Sequence, residues 1–268
     1  MDKKFKLGVI GAGLMSSAIV KGVINSAVLT PNQIIVSDLN KTSLDNMVKN
    51  DVFTTTDNCF VVSNSEYVLF AIKPQNLDSV LSEIKDCDCE KFISIMAGVK
   101  KEKIKKAFPN SSVARCMPNT PCAIGFGAVG LDVSDFEKEY DVVFIKKLLS
   151  SFANVVVVSE DKLNAVTGVS GSSPAYFYLF LKGIIDTGVK LGLTYEQAKT
   201  LAASTMVGAG RMVLQNEDKT LDELISAVCS KGGTTIEAVK VYENENLDKI
   251  TETAINACVK RAFELENL

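Results

Sequence analysis

The run from Phe5 to Asp38 constrains this chain more than any other stretch. FKLGVI (5–10) is apolar and of strand length, GAG (11–13) interrupts it, AIVKGVI (18–24) has helical spacing, and QIIVS (33–37) ends at Asp38. Strand, glycine turn, helix and strand in that order make a βαβ unit, which sets two parallel strands side by side beneath a helix. At the turn, Gly11 permits the tight reversal and Gly13 lets a pyrophosphate approach the backbone at the helix N-terminus. The third position of a G-x-G-x-x-G fingerprint is Ser16, so the motif is imperfect. The same stretch imitates a secretory signal, with the lysines of MDKKFK ahead of an apolar segment. Glycines at 8, 11 and 13 weaken that alternative, because they unsettle the helix such a segment forms.

The rest of the first half extends the pattern. YVLFAI (67–72), FISIM (92–96) and VARCM (113–117) are continuous apolar runs alternating with helical segments such as NLDSVLSEI (76–84). Such runs predict a mostly parallel, doubly wound sheet covered on both faces. GAVGLDV (127–133) and VVVVSE (155–160) add two strands joined by the helix FEKEYDVVFIKKLLSSF (136–152), and the domain boundary is placed at Glu160. Ligands of these sheets collect at the carboxyl ends of strands. Lys73-Pro74 in FAIKPQ and Ala97-Gly98 in IMAGV stand at such ends, and MPNTP (117–121) makes a rigid loop suited to walling a nicotinamide.

From Asp161 onward helical periodicity replaces strands, giving 1–160 and 161–268 as the expected domains. SPAYFYLFLKGIIDTGVKLGL (173–193) is apolar enough to suggest a membrane span. Its Lys182, Asp186 and Lys190 recur every fourth residue as one charged stripe, which predicts an amphipathic helix in a bundle. GAGRM (208–212) permits close helix packing. In VCSKGGTTIEAV (228–239), Gly232-Gly233 breaks a helix and Thr234-Thr235 restarts one, leaving backbone N–H groups that attract an anion. A threonine N-cap between two ordinary helices is the structural alternative.

Composition removes several function classes. The 268 residues carry a net charge of −3 with 47% apolar residues, which gives no reason to expect nucleic acid or an anionic membrane as partner. KKEKIKK (100–106) is read as a solvated helix face. Seven scattered cysteines include no C-x-x-C, and no histidine exists to complete a mixed metal site, so no metal and a cytoplasmic location are expected. The missing histidine also removes the commonest general base.

GVIGAGLMSSAI, AIKPQ, RCMPNTP, VSGSSPAY and SKGGTTIEAV, in this order and spacing, resemble pyrroline-5-carboxylate reductase, the last enzyme of proline synthesis, from end to end. The resemblance implies an α/β Rossmann-like N-terminal domain followed by an all-α domain that dimerises by interleaving helices, with the active site between the domains. It implies hydride transfer from NADPH, less commonly NADH, to the cyclic imine L-1-pyrroline-5-carboxylate. By position, Gly11, Gly13, Leu14, Met15 and Ser16 would face the dinucleotide, with Ser37, Asp38, Asn40 and Lys41 at its ribose. Ala71, Lys73, Pro74, Ala97, Gly98, Asn119 and Pro121 would line the nicotinamide end. Ser230, Gly232, Gly233, Thr234 and Thr235 would hold the substrate, with Thr235 bonding the ring nitrogen. The family usually has proline where this chain has Lys231, which bears on the stiffness of that loop.

The chemistry suits a chain without histidine. A protonated ring imine is already electrophilic, so the protein supplies orientation, a dry site and hydrogen bonds. A β-hydroxyacid dehydrogenase shares the two-domain plan but uses a lysine on the helix after a glycine-rich break; here GVSGSSPAYFYLF has none until Lys182. A non-catalytic dinucleotide sensor would not need the second anion site at SKGGTT. For the cofactor, Asp38 favours a ribose hydroxyl whereas Asn40 and Lys41 favour a 2′-phosphate, so use of both with NADPH preferred is expected. The helical half has too many small and apolar segments for a self-contained bundle, which predicts a homodimer or higher homo-oligomer.

Overall fold

In this computed structural model residues 3–266 are described. The chain begins β1 (Phe5–Ile10), α1 (Leu14–Asn25), β2 (Ile34–Ser37), α2 (Lys41–Val48), β3 (Phe53–Thr55), α3 (Asn58–Asn64), β4 (Ser65–Phe70) and α4 (Leu77–Ile84). It continues β5 (Lys91–Ser94), α5 (Lys101–Ala107), β6 (Ser112–Pro118), β7 (Gly127–Asp132), α6 (Glu139–Ser150) and β8 (Ala153–Val157). Helices follow: α7 (Leu163–Val166), α8 (Ser173–Lys190), α9 (Tyr195–Gln215), α10 (Leu221–Val228), α11 (Thr234–Asn244) and α12 (Leu247–Glu266).

The eight strands form one sheet in the order β3-β2-β1-β4-β5-β6-β7-β8, parallel except where β6 meets β7. β1 carries β2 on one side and β4 on the other, with Leu7 beside both Ile34 and Tyr67. Side chains alternate between faces, as the pleat requires. Tyr67 and Leu69 of β4 pack with α1 and α6, through Ile19, Val23, Leu148 and Leu149. Val68 and Phe70 pack with α3, α4 and α5, through Val61, Leu81 and Ile104. Burial on both faces explains why these strands read as unbroken apolar runs.

Several local expectations change, among them the last strand, which runs Ala153–Val157 and not 155–160. β3 leaves no apolar run in the sequence because it is three residues, two of them threonine, at the sheet edge. YVLFAI is shifted: β4 starts at Ser65 and stops before Ala71. KKEKIKK is not a uniformly solvated face, since Lys101 is buried, with its ammonium 2.9 Å from Asp135 and 3.3 Å from Asp132. Burial disfavours the charge on Lys101, but these carboxylates outweigh it and raise the pKa.

Two compact units emerge, Met1–Pro174 with Cys258–Leu268, and Ala175–Ala257. This division falls later than Glu160 and returns the last turns of α12 to the first unit. The second unit is wholly helical, and Lys182 pairs with Asp186 on α8 as the charged stripe predicts. Ala198 and Ala202 are its only buried apolar residues, whereas Leu179 is 73% and Leu191 81% exposed. A groove of about 430 Å³ runs along α8 and α9, lined by Phe180, Ile184, Leu193, Leu201 and Met206 among others. No helix among the described residues is long and apolar enough to cross a membrane.

Candidate active site

The carboxyl ends of β1, β2, β4, β5 and β6 lie in a row along one edge of the sheet, and the turns leaving them are laced by backbone bonds. Gly11 N donates to Ser37 O at 2.7 Å, Ala71 N to Ile10 O at 2.9 Å, and Ile95 N to Phe70 O at 3.2 Å. The chain order reverses between β1 and β4, the crevice where open α/β sheets take ligands. Gly11 sits there at φ +103°, and a Cβ on it would lie 2.5 Å from the Ala71 carbonyl oxygen, so the loop admits only glycine.

Gly13 is the N-cap of α1 and places no side chain over the helix end; a Cβ there would meet nothing within 4 Å. The first N–H groups of α1, at Leu14, Met15 and Ser16, have no partner within the helix and border this open cradle. Leu14 is exposed beside it and Met15 half-buried. Ser16 is buried and donates to Gly13 O at 2.9 Å, so its small side chain holds the loop from beneath. An uncapped, sterically empty helix start fits a pyrophosphate.

Asp38 does something the sequence does not disclose. Its two carboxylate oxygens accept from Ala12 N at 2.7 Å and Asn40 N at 2.8 Å. The acid that reads as a ribose ligand therefore ties the glycine loop to the start of α2. Asn40 caps that helix, accepting from Ser43 N at 3.3 Å, and Lys41 is its exposed first residue. Beneath them, the buried Ser37 hydroxyl bonds Asn58, which reaches Glu83 at 2.8 Å. Nothing in the sequence around Asn58 marks this role.

At the other end of the row, Lys73 and Ala97 are exposed, Ala71 and Gly98 half-buried, and Pro74 opens a short 3-10 turn. Asn119 is buried and rigidly placed: its amide nitrogen donates to Ser170 O at 3.3 Å and its amide oxygen accepts from Ala128 N at 2.9 Å. It joins the MPNTP loop to the π-helical turn Thr167–Gly171, while Pro121 lies in the adjoining 3-10 turn Thr120–Ile124. Burial pushes the Cys122 thiol up, so it remains a neutral thiol and offers no nucleophile here.

The remaining candidates lie in the second unit. Gly233 N donates to Ser230 O at 2.9 Å, and Gly232 adopts φ +73°, which together make a type II turn. Gly233, not a threonine, is the N-cap of α11, with no side chain bonding the helix end. Thr234 and Thr235 are its first two residues, both exposed. Ser230 Oγ packs where a Cβ on Gly233 would stand. This is a second helix start with unclaimed N–H groups, here with a hydroxyl on the first turn.

Comparison with known proteins completes the description. Residues 160–265 match the family model for pyrroline-5-carboxylate reductase dimerisation, and residues 6–98 match that for NADP oxidoreductase, coenzyme F420-dependent. A pyrroline-5-carboxylate reductase of Synechocystis is 35% identical, covering 97% of this chain and 98% of the relative. The solved structure of such a reductase from Coxiella burnetii superposes with a TM-score of 0.91 at 34% identity, covering 98% of this chain and 99% of that one. A Plasmodium falciparum pyrroline carboxylate reductase with NADP bound gives 0.85 at 25% identity, covering 99% of this chain and 100% of that one. The chain belongs to the pyrroline-5-carboxylate reductase family.

Proposed function

We propose that this member of the family reduces L-1-pyrroline-5-carboxylate to L-proline with NADPH, and accepts NADH less well. The observation that carries the reading is the second uncapped helix start at Gly233, in a chain whose first already suits a dinucleotide. Bound NADPH supplies the hydride. Gly11, Gly13 and the N–H groups of Leu14, Met15 and Ser16 hold the pyrophosphate. Ser37 and Asp38 fix the loop beside the ribose, and Asn40 with Lys41 at the α2 start takes the 2′-phosphate. Because both Asp38 oxygens accept backbone N–H groups, its charge is partly satisfied and repels that phosphate less. Ala71, Lys73, Pro74, Ala97, Gly98, Asn119 and Pro121 orient the nicotinamide end.

For the substrate, N–H groups at the α11 start, with Ser230, Gly232, Gly233 and Thr234 shaping the turn, grip the carboxylate. Thr235 Oγ1 bonds the ring nitrogen. Addition of hydride to the imine carbon turns the protonated imine into a neutral secondary amine, which then takes a proton from solvent. No strong base is required. Consumption of NADPH with stoichiometric proline on addition of the imine tests the reading; saturable cofactor binding without turnover would instead indicate a sensor.

The dimerisation model supports homo-oligomerisation. We take the unit to be a homodimer joined through the C-terminal helices, because the second unit leaves so much apolar surface exposed. A cytoplasmic setting without nucleic-acid partners belongs to the same proposal, supported by seven unpaired cysteines and a mild negative charge.

A further inference from the structure

The nicotinamide-end turn Ala97–Gly98 is followed by a knot of buried charge that the reaction itself does not use. Arg115, in the middle of β6, is 2% exposed, and its guanidinium reaches two carboxylates, Glu266 at 2.8 Å and Glu160 at 3.3 Å. Glu266, in the final turn of α12, is itself only 5% exposed. The same Glu160 oxygen accepts from Lys101 N at 2.8 Å, and the Lys100 ammonium lies 3.9 Å from Glu266. Gly98 packs directly on the preceding residue of α12, since a Cβ on it would lie 3.1 Å from Leu265 Cβ. From Gly98 to Lys101, the chain leaving β5 is thus held by Leu265, Glu266 and Glu160.

We propose that Glu266 is a positioning residue: through Arg115 it seats the last turn of α12 against Gly98 and thereby sets the height of the Ala97–Gly98 turn beneath the nicotinamide. The inference rests on the reading that this turn meets the cofactor. A displacement of about 1 Å in such a wall costs up to about a hundredfold in rate when the reacting atoms must stay in line. Removing the Glu266 charge leaves Arg115 with Glu160 alone, so the last turn of α12 loses part of what holds it against Gly98.

The test compares Glu266→Gln with wild type and with Arg261→Ala, which removes only an exposed pair with Glu264. Rates are normalised to the concentration of NADPH-binding sites, and NADPH deuterated at the transferred position reports the isotope effect. The expected result is a ten- to hundredfold fall in kcat and a larger isotope effect, with KM for the imine changed less than threefold and Arg261→Ala like wild type. A lower melting temperature with unchanged kcat per site would show that Glu266 is merely structural and overturn the proposal. Ala97→Leu separates the two layers of inference. If it leaves the kinetics untouched, the placement of the turn at the nicotinamide fails; if it slows turnover while Glu266→Gln does not, only the positioning role fails. Should Glu266→Gln not fold, Glu266→Asp, which keeps the charge and shortens the reach, is read by the same criteria.

Discussion

Replacing Thr235 by valine keeps the shape of the side chain and deletes one hydroxyl. In the free protein that hydroxyl is exposed at the second position of α11 and caps nothing, since Gly233 is the N-cap. Valine and threonine have similar helix propensities, so Thr235→Val should shift unfolding free energy by no more than about 0.5 kcal/mol. The consequence falls on catalysis instead. Loss of one hydrogen bond to the ring nitrogen costs about 1–3 kcal/mol, roughly five- to 150-fold in kcat/KM for the imine. Affinity for NADPH should barely move, because the residues assigned to it belong to the other unit. The assay is initial-rate kinetics against imine concentration, with NADPH affinity from fluorescence titration and stability from urea unfolding. Unchanged kcat/KM would refute the assignment and leave GGTT as a turn between helices. A fall in NADPH affinity as large as the fall in kcat/KM would refute the division of labour.

Lys231 occupies the second position of the type II turn closed by Gly233 N and Ser230 O, where proline is favoured. Lys231→Pro should therefore keep full activity and raise stability by about 0.4–1 kcal/mol in urea unfolding. A rise in KM with loss of salt dependence would mean that the ammonium steers the substrate. Asp38→Ala frees the Ala12 and Asn40 N–H groups and should weaken NADPH and NADH alike, by about tenfold each; a selective loss of NADH would show that the acid acts on the ribose. Burial alone would raise the Asp135 pKa, but Lys101 and Lys105 hold it below the ordinary carboxylate value. A depressed folded pKa contributes stability above the unfolded value of about 3.9 and loses it as pH falls through the folded one. Asp135→Asn should flatten that acid limb in melting curves, and an unchanged limb would contradict the pairing.

How much the sequence disclosed depended on the range of the interaction. β1, β4 and β5 were legible because two-sided burial demands apolar runs, and the glycine turn because Gly11 admits no Cβ. The start of α11 was legible from local chemistry too, as two glycines and two threonines suffice to break and restart a helix. Long-range charge was not. VARCM reads as an apolar strand with an arginine in it, and nothing nearby says that Arg115 is neutralised by a glutamate 151 positions later. The bonds that Asp38 accepts from Ala12 N and Asn40 N are not legible either, because a backbone N–H carries no residue label. Lys101 reads as solvated in the sequence because its carboxylate partners, Asp132 and Asp135, come from beyond β6. That Cys258–Leu268 joins the first unit is not legible either, because α12 runs on without a break in periodicity where the contacts change.

That the first unit is made of two separate stretches of chain bears on its birth. Synthesis delivers the sheet early, and N-terminal regions begin to fold while the rest is still being made. Arg115 then lies in its strand while Glu266 lies 151 positions downstream. Until the end of α12 is made, the Arg115 guanidinium has one carboxylate instead of two, and Gly98 has no Leu265 to rest on. Completion of the first unit thus waits on its second stretch. A chain cut within the second stretch of that unit, between Cys258 and Leu265, would keep every glycine and threonine of the proposed site and leave a half-neutralised arginine in the middle of β6.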